Sequence, residues 1–521
     1  MLPRSLRGWE GPDDLGNAVL VIGTGPVGLA VRSALRRLGR PVVLLEAGGE
    51  SATRDSGHNA GTALGLPFTG LAGRARGLGG NAGLWAGQSM RFHASDFERR
   101  PWVDESGWPI GYDTLAPWYA EAERFLGISA DEYHADTWRR FGLEPGLLPA
   151  VDVETRFSIF AEQPDVWRRD RATVVHDPGT EVLFDALASG FLVEDGRVRG
   201  VHARSHGGDE RTLRAAAVVV ATGAIEAARL LMLPSSTAPR GLVGGNPHVG
   251  AHFQDHPHGA IAAVQARDDE TARRVVDWFT VFHRRGVRLL PKLTRSIEAQ
   301  AADEVLNACA VPVYEWPPGS LFDRMRSVQA SVLGRRVSDG ITDAFRAAAA
   351  DPRELLAYGL GRARGRSYAG LQPRKLLLQV YLEQDPATAS RVGLTAETDA
   401  WGLPSVTVDW RLEERERRTA ERMIVALDRF FRTWGVGGVA AEPQLSGADW
   451  RVAFADNQHH AGTTRMSGDP SGGVVDRDCR VWGTDNVWVA GGGVFPTSSY
   501  ANPTLTMIAI GMRVARSVAA A

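Results

Sequence analysis

A chain of 521 residues is too long for one compact core, so two domains, or one large domain with insertions, are expected. With 44% hydrophobic and 23% charged residues it has a globular composition, and a formal net charge of -2 supplies no field favouring nucleic acid or an anionic membrane. The two cysteines, Cys309 and Cys479, exclude a four-thiolate zinc site and make a disulfide framework unexpected.

No run of ~18 apolar residues occurs, so membrane insertion is not expected. The opening MLPRSLRGWEGPDD lacks the apolar core of a secretion signal, which leaves the cytoplasm as the expected compartment. Lysine stands only at Lys292 and Lys375, which leaves little scope for a catalytic lysine.

The first clear element covers residues 18–50. Ala18 to Ile22 is an apolar run of strand length, and Val27, Ala30, Val31, Ala34, Leu35 and Leu38 then recur at helical spacing. Pro41 to Leu45 completes a β-α-β unit. Gly23 allows its tight turn, Gly25 lets a pyrophosphate approach the backbone, and Gly28 lets helix and strand pack. The helix N-terminus offers partial positive charge to phosphates. Glu46, 23 residues after Gly23, is placed to accept from an adenosine ribose.

A second glycine-rich stretch, RARGLGGNAGLWAGQSMRF at 74–92, cannot be an ordinary helix or strand. Its Leu78, Leu84 and Trp85 are too apolar for a solvated linker, so the loop is expected to pack against something flat. Residues 173–203 read as strands around HDPGTEV and EDGRV. RAAAVVVATGAIEAARLLM then gives a buried strand, the turn Ala221-Thr222-Gly223 and a helix. From about 255 to 450 the texture changes: 375–386, 390–397 and 403–412 read as strands of one antiparallel sheet, and 413–434 as a helix. The Arg-rich segment 315–370 reads as predominantly helical: a lid, an oligomer contact or a plain insertion.

NPHVGAHFQDHPHG spaces His248, His252, His256 and His258 like metal ligands, but Gly250, Pro257 and Gly259 break the helix such a site would need. No metal is expected. Near the C-terminus, NQHHAGTTRM sets His459 and His460 side by side before a tight turn. Gly491 to Gly493 allow close approach of a backbone or ligand. Asn502-Pro503-Thr504 opens a final apolar helix, with Asn502 as expected N-cap.

These blocks resemble the glucose-methanol-choline (GMC) oxidoreductases along nearly the whole chain, in the branch of pyranose oxidases and bacterial sugar-alcohol oxidases. The residues that carry the likeness are GTGPVG with Glu46, GLGGNAGLWAG, VGAHFQDHP, EQDPATASRVGL, HHAGTTRM, GGVVD and ANPTLT. The expected fold class is α/β (α+β overall). A discontinuous Rossmann-like FAD-binding domain takes 1–95, 171–250 and 470–521. A substrate-binding domain, an antiparallel sheet covered by helices, takes 96–170 and 251–469 with the insertion 315–370. Besides the first glycines and Glu46, the expected FAD contacts are Gly79, Gly80, Asn81, Leu84, Trp85, Val175, Ala221, Gly223, Gly491, Gly492, Pro503 and Thr504.

The likeness makes His459, four residues before Thr463, the catalytic base, and Asn502 the second catalytic residue. It implies that a sugar, glycoside or aminoglycoside hydroxyl gives its proton to His459, a neutral imidazole of ordinary pKa ~6.5. Asn502 would hold the hydroxyl oxygen while the carbon gives hydride to flavin N5. Gln384 and His460 are expected near substrate, His460 through packing or an indirect hydrogen bond. Pyranose oxidases attach FAD through a histidine where this chain has Leu84, so noncovalent FAD is expected. The electron acceptor is O2 or another molecule, and a homo-oligomer stays open. Two other readings are the large subunit of a sugar dehydrogenase serving a cytochrome, and a non-redox flavin lyase on the same scaffold.

Overall fold

The structure, a computed structural model, describes residues 2–54, 61–128, 152–284, 286–320 and 352–521. The part of the expected insertion from 321 to 351 lies outside the described residues; beyond it a helix covers Pro352–Ala363.

Val19–Ile22 and Val42–Leu45 are buried at every position, as strands covered on both faces must be. Burial of each such side chain contributes ~1.5–3 kcal/mol. They lie side by side in a six-stranded parallel sheet ordered Arg4–Ser5, Thr180–Phe184, Val42–Leu45, Val19–Ile22, Ala217–Val220, Val487–Val489. Strands far apart in sequence are thus neighbours in one nucleotide-type sheet. The crossover helix Pro26–Arg37 packs on the last helix, Thr504–Ala520. Gly511 permits that approach, since a Cβ there would stand 3.0 Å from Val27.

A second sheet is antiparallel throughout. Its order is Gly437–Ala441, His258–Ala266, Lys375–Leu382, Ala308–Glu315, Val287–Arg295, Val153–Phe160, Gln88–Ser89, with Phe282–Arg284 paired to Val287–Arg295. The helix Glu414–Thr433 covers one face through Met423, Leu427, Phe430 and Phe431, which recur at helical spacing.

Two features differ from the sequence expectation. The strands Lys375–Leu382, Arg391–Thr398 and Pro404–Trp410 do not share one sheet: the last two form a separate three-stranded sheet with Gly61–Gly65. Gly61–Gly65 and Gln88–Ser89, both inside the segment 1–95, pair with strands from the segments assigned to the other domain. Around EDGRV the chain turns, joining the hairpin strands Leu187–Glu194 and Arg197–Arg204. Among the described residues no helix is long and apolar enough to cross a membrane.

Candidate active site

One continuous cavity of about 580 Å³ opens at the C-terminal ends of the parallel strands and runs to the antiparallel sheet. Ligands bind at that edge of an open α/β sheet because strands end and helix N-termini begin there. Its first half is lined by Ile22 to Val27, Leu45 to Ala47, Ala186 to Ala188, Ala221 to Glu226 and Ala490 to Gly492.

Glycine governs this half. Gly23 holds φ +104, and a Cβ there would come within 2.5 Å of the Ala221 carbonyl. A Cβ on Gly28 would meet the Gly23 carbonyl at 1.9 Å, so Gly28 is needed for helix-to-strand packing; it does not line the cavity. At Gly25, Gly223 and Gly491 the space for a Cβ is open. The backbone there is bare to a ligand, beside the N-terminus of Pro26–Arg37. Thr222 Oγ1 is buried with no partner in the protein. Bare backbone at a helix N-terminus, in an elongated cavity, fits a dinucleotide.

Gly80, Asn81, Leu84 and Trp85 line the cavity, as do Ala221, Gly491, Gly492, Pro503 and Thr504. Glu46 lines it too, with its carboxylate already engaged: Oε2 accepts from Thr24 Oγ1 at 2.6 Å, Oε1 from Gly48 and Gly77 N–H at 3.0 Å. Gly79 is set back, its N–H donating to Thr24 Oγ1 at 3.0 Å. Val175 is a correction: it is buried in the helix Val166–His176, away from the cavity, and Ala186, Leu187 and Ala188 stand at the wall instead.

The second half is walled by Leu290, Lys292, Val311 and Tyr381 from three adjacent antiparallel strands. Asn457 to His460 and Asn502 lie between the halves. The histidine segment is fastened to Gln254–His258. Gln254 and Ala461 exchange backbone bonds at 3.0 and 2.9 Å, His258 N–H donates to Ala455 O at 3.0 Å, and His459 N–H donates to Asp255 Oδ1 at 2.9 Å. Gln458 adopts φ +58, a left-handed conformation uncommon outside glycine.

The two rings then have different environments. His460 is wedged between Phe68 and Phe253, with centroids 5.3 and 5.7 Å away, and its Nε2 is 3.7 Å from Asp255 Oδ2. Burial lowers its pKa to about 3, while burial raises that of Asp255 to about 7.

His459 Nδ1 is 2.9 Å from His256 Nδ1, and His256 Nε2 is 3.1 Å from the Ser498 carbonyl. A carbonyl only accepts, so His256 carries its proton on Nε2 and presents a bare Nδ1. His459 therefore donates from Nδ1 and keeps a lone pair on Nε2, which has no protein partner among the described residues. The Asn457 amide, 2.9 Å from the same Nδ1, must then offer its oxygen. Burial lowers the His256 pKa to about 4. Burial, then His256 and Lys292, place that of His459 well below the usual imidazole value.

Asn502 lines the cavity without capping the last helix; Pro503 occupies the N-cap position and no side chain caps that end. The reason is a residue the sequence reading discounted. Lys292 Nζ donates to Asn502 Oδ1 at 2.8 Å, engaging the oxygen a cap would use and leaving the amide N–H groups as donors. The available signal was spacing: Leu290 and Lys292, two residues apart in one strand, share a face.

Gln384 is a second correction. It is fully buried outside the cavity, accepting from Asp255 N–H and Trp410 Nε1 and donating to Ser390 Oγ and Arg411 O. Of the other histidines in the 248–258 cluster, His248 and His252 stack on each other with Nδ1 and Nε2 3.2 Å apart, their remaining nitrogens reaching Ser471 O and Pro386 O, while His258 reaches Ala455 O.

Residues 171–258 and 386–511 match the N-terminal and C-terminal family models of GMC oxidoreductases. A C-glycoside 3-oxidase of Microbacterium trichothecenolyticum is 26% identical over 95% of this chain and 82% of its own length. A paromamine 6'-oxidase of Streptomyces fradiae is 26% identical over 99% of this chain and 94% of its own length. The crystal structure of a pyridoxine 4-oxidase from Mesorbium loti superposes with TM-score 0.56 over 96% of this chain and 99% of its own, at 18% identity.

Proposed function

The chain belongs to the GMC oxidoreductases, FAD-dependent enzymes acting on CH–OH groups, and on that premise we propose that it oxidises a hydroxyl of a sugar, glycoside or aminoglycoside-type substrate with His459 as base. The single observation that carries the assignment is the bare Nε2 of His459, held by the His256–Ser498 chain on the wall of the cavity that Asn502 shares.

Gly23, Gly25 and Gly223 with the N-terminus of Pro26–Arg37 would hold the dinucleotide, and Gly491, Gly492 and Thr504 its other end. FAD, when bound there, supplies the two-electron acceptor. Leu84 carries no nucleophile, which favours noncovalent attachment. His459 takes the hydroxyl proton at Nε2, and its depressed pKa keeps the ring neutral and able to accept. Asn502 Nδ2 donates to the same hydroxyl oxygen, orienting the alcohol. Leu290, Val311 and Tyr381 exclude water behind it.

The test is anaerobic addition of sugars, glycosides and amino sugars to the holoprotein. Bleaching of the flavin band by one of them is expected, and no bleaching by any overturns the assignment. Oxygen consumption with peroxide release then separates oxidase from dehydrogenase.

A further inference from the structure

Lys292 stands in the middle of the strand Val287–Arg295 and is 3% exposed. Its Nζ has one polar partner among the described residues, the neutral amide oxygen of Asn502, and lies 5.7 Å from the centre of the Tyr381 ring. No carboxylate of a described residue lies within ion-pair distance. That is exceptional in this protein. Each buried arginine among the described residues reaches a carboxylate: Arg100 grips Glu383 at 2.7 Å through two nitrogens, Arg229 meets Asp399 at 2.6 Å, and Arg74 meets Glu226. Buried charges are ordinarily paired because desolvation costs several kcal/mol.

The cavity wall around Lys292 supplies nothing to offset it, and burial lowers the pKa of the ammonium from its ordinary value, so a carboxylate brought into the cavity would also favour its charged form. Leu290, Val311, Tyr381, Asn457 and His459 are apolar or neutral there. The two carboxylates that line the cavity elsewhere are already engaged, Glu46 by Thr24 and Glu226 by three arginines. Neighbouring Cys309 is no counter-ion either, since burial pushes its thiol up to about 11.

We propose that Lys292 makes this cavity select substrates by charge: it accepts neutral sugars or glycosides, gains affinity from a carboxylate near the reacting carbon, and rejects an ammonium group there. The inference rests on the sugar-oxidising reading and narrows it, setting aminoglycosides aside in favour of neutral and acidic glycosides. Lys292 is a specificity-determining residue, and its missing counter-charge is the substrate's own.

The test compares three matched substrates, a methyl hexoside and its C6 carboxylate and C6 amine, by anaerobic flavin reduction. In the wild type the second-order rate constant should fall from carboxylate to hydroxyl to ammonium, by about 100-fold at each step for charges ~6 Å apart at an effective dielectric near 20. In Lys292→Met, and in Lys292→Gln, which keeps a donor for Asn502, that ratio should shrink by at least ~10-fold at equal FAD content. A purely structural role would slow all three substrates alike, so an unchanged ratio overturns the proposal. A wild type that prefers the amine overturns it without any variant.

Propionate titrated against the flavin absorbance separates this from failure of the sugar reading. If no sugar reduces the flavin, yet propionate binds the wild type at least ~10-fold more tightly than Lys292→Met, the sugar reading falls and charge selection stands. Equal propionate affinity overturns charge selection.

Discussion

His459 and His256 face each other through their Nδ1 atoms, 2.9 Å apart, with the rings nearly perpendicular at 85°. One proton lies between them, and the Ser498 carbonyl beyond His256 decides which ring owns it. His256→Phe keeps the volume and removes this control. It should lower kcat roughly 10- to 100-fold, the cost of one orienting hydrogen bond, with KM and FAD content nearly unchanged. Anaerobic stopped-flow reduction reads this out; wild-type kcat in the variant would show that the contact does not orient the base.

His459→Ala should still take up FAD, because none of the glycines that bare the backbone depends on that ring. Flavin reduction by substrate should fall ~10²–10⁴-fold, the usual span for a lost general base. Near-normal reduction would move the base elsewhere.

Asn502→Ala should act twice. It removes the amide proposed to donate to the substrate hydroxyl, and it strips Lys292 of its hydrogen-bond acceptor. A buried cation left so is expected to cost about 1–3 kcal/mol of stability, visible as a lowered melting temperature alongside slower reduction. A variant as stable as the wild type would mean that the lysine finds another acceptor.

Two depressed histidines set an acid limit. His256 and His460 are neutral in the fold down to about pH 4 and about pH 3, whereas the unfolded chain protonates them near ~6.5. Between those values the unfolded state binds more protons, so stability is full above ~6.5 and is lost as pH falls toward 4. Asp255, raised to about 7, works the other way, so the test is a difference: between about pH 6.5 and about pH 4 the melting temperature of His460→Leu should fall less, or rise more, than that of the wild type. The acid limb of kcat/KM should fall below the ordinary imidazole value, since His459 is depressed as well. A limb at or above ~7 would contradict the buried environment of the base.

Denaturing the holoprotein in acid should release the yellow chromophore into the supernatant, because Leu84 offers no bonding atom at the cavity wall. Colour retained on the polypeptide would locate a covalent link at another residue.

What the sequence determined by itself is local. The β-α-β unit, the turn at Ala221–Gly223 and the Gly-rich approaches at Gly25 and Gly491 are legible because a turn or helix start depends on neighbours a few residues away. The family blocks around His459 and Asn502 are legible for the same reason. Tertiary structure decided whatever depends on which strand lies beside which. Gln384, within EQDP, follows a strand that ends at Leu382 and is held inward by Asp255 N–H and Trp410 Nε1. Val175 lies in a helix that faces it into the core. Asn502 had the signature of a cap until Lys292, 210 positions away, took its oxygen. The proton on His459 is set by a carbonyl at Ser498 through a ring at 256. Hydrogen-bond direction and buried charge are properties of juxtaposed groups, and chain order carries no record of juxtaposition across sheets.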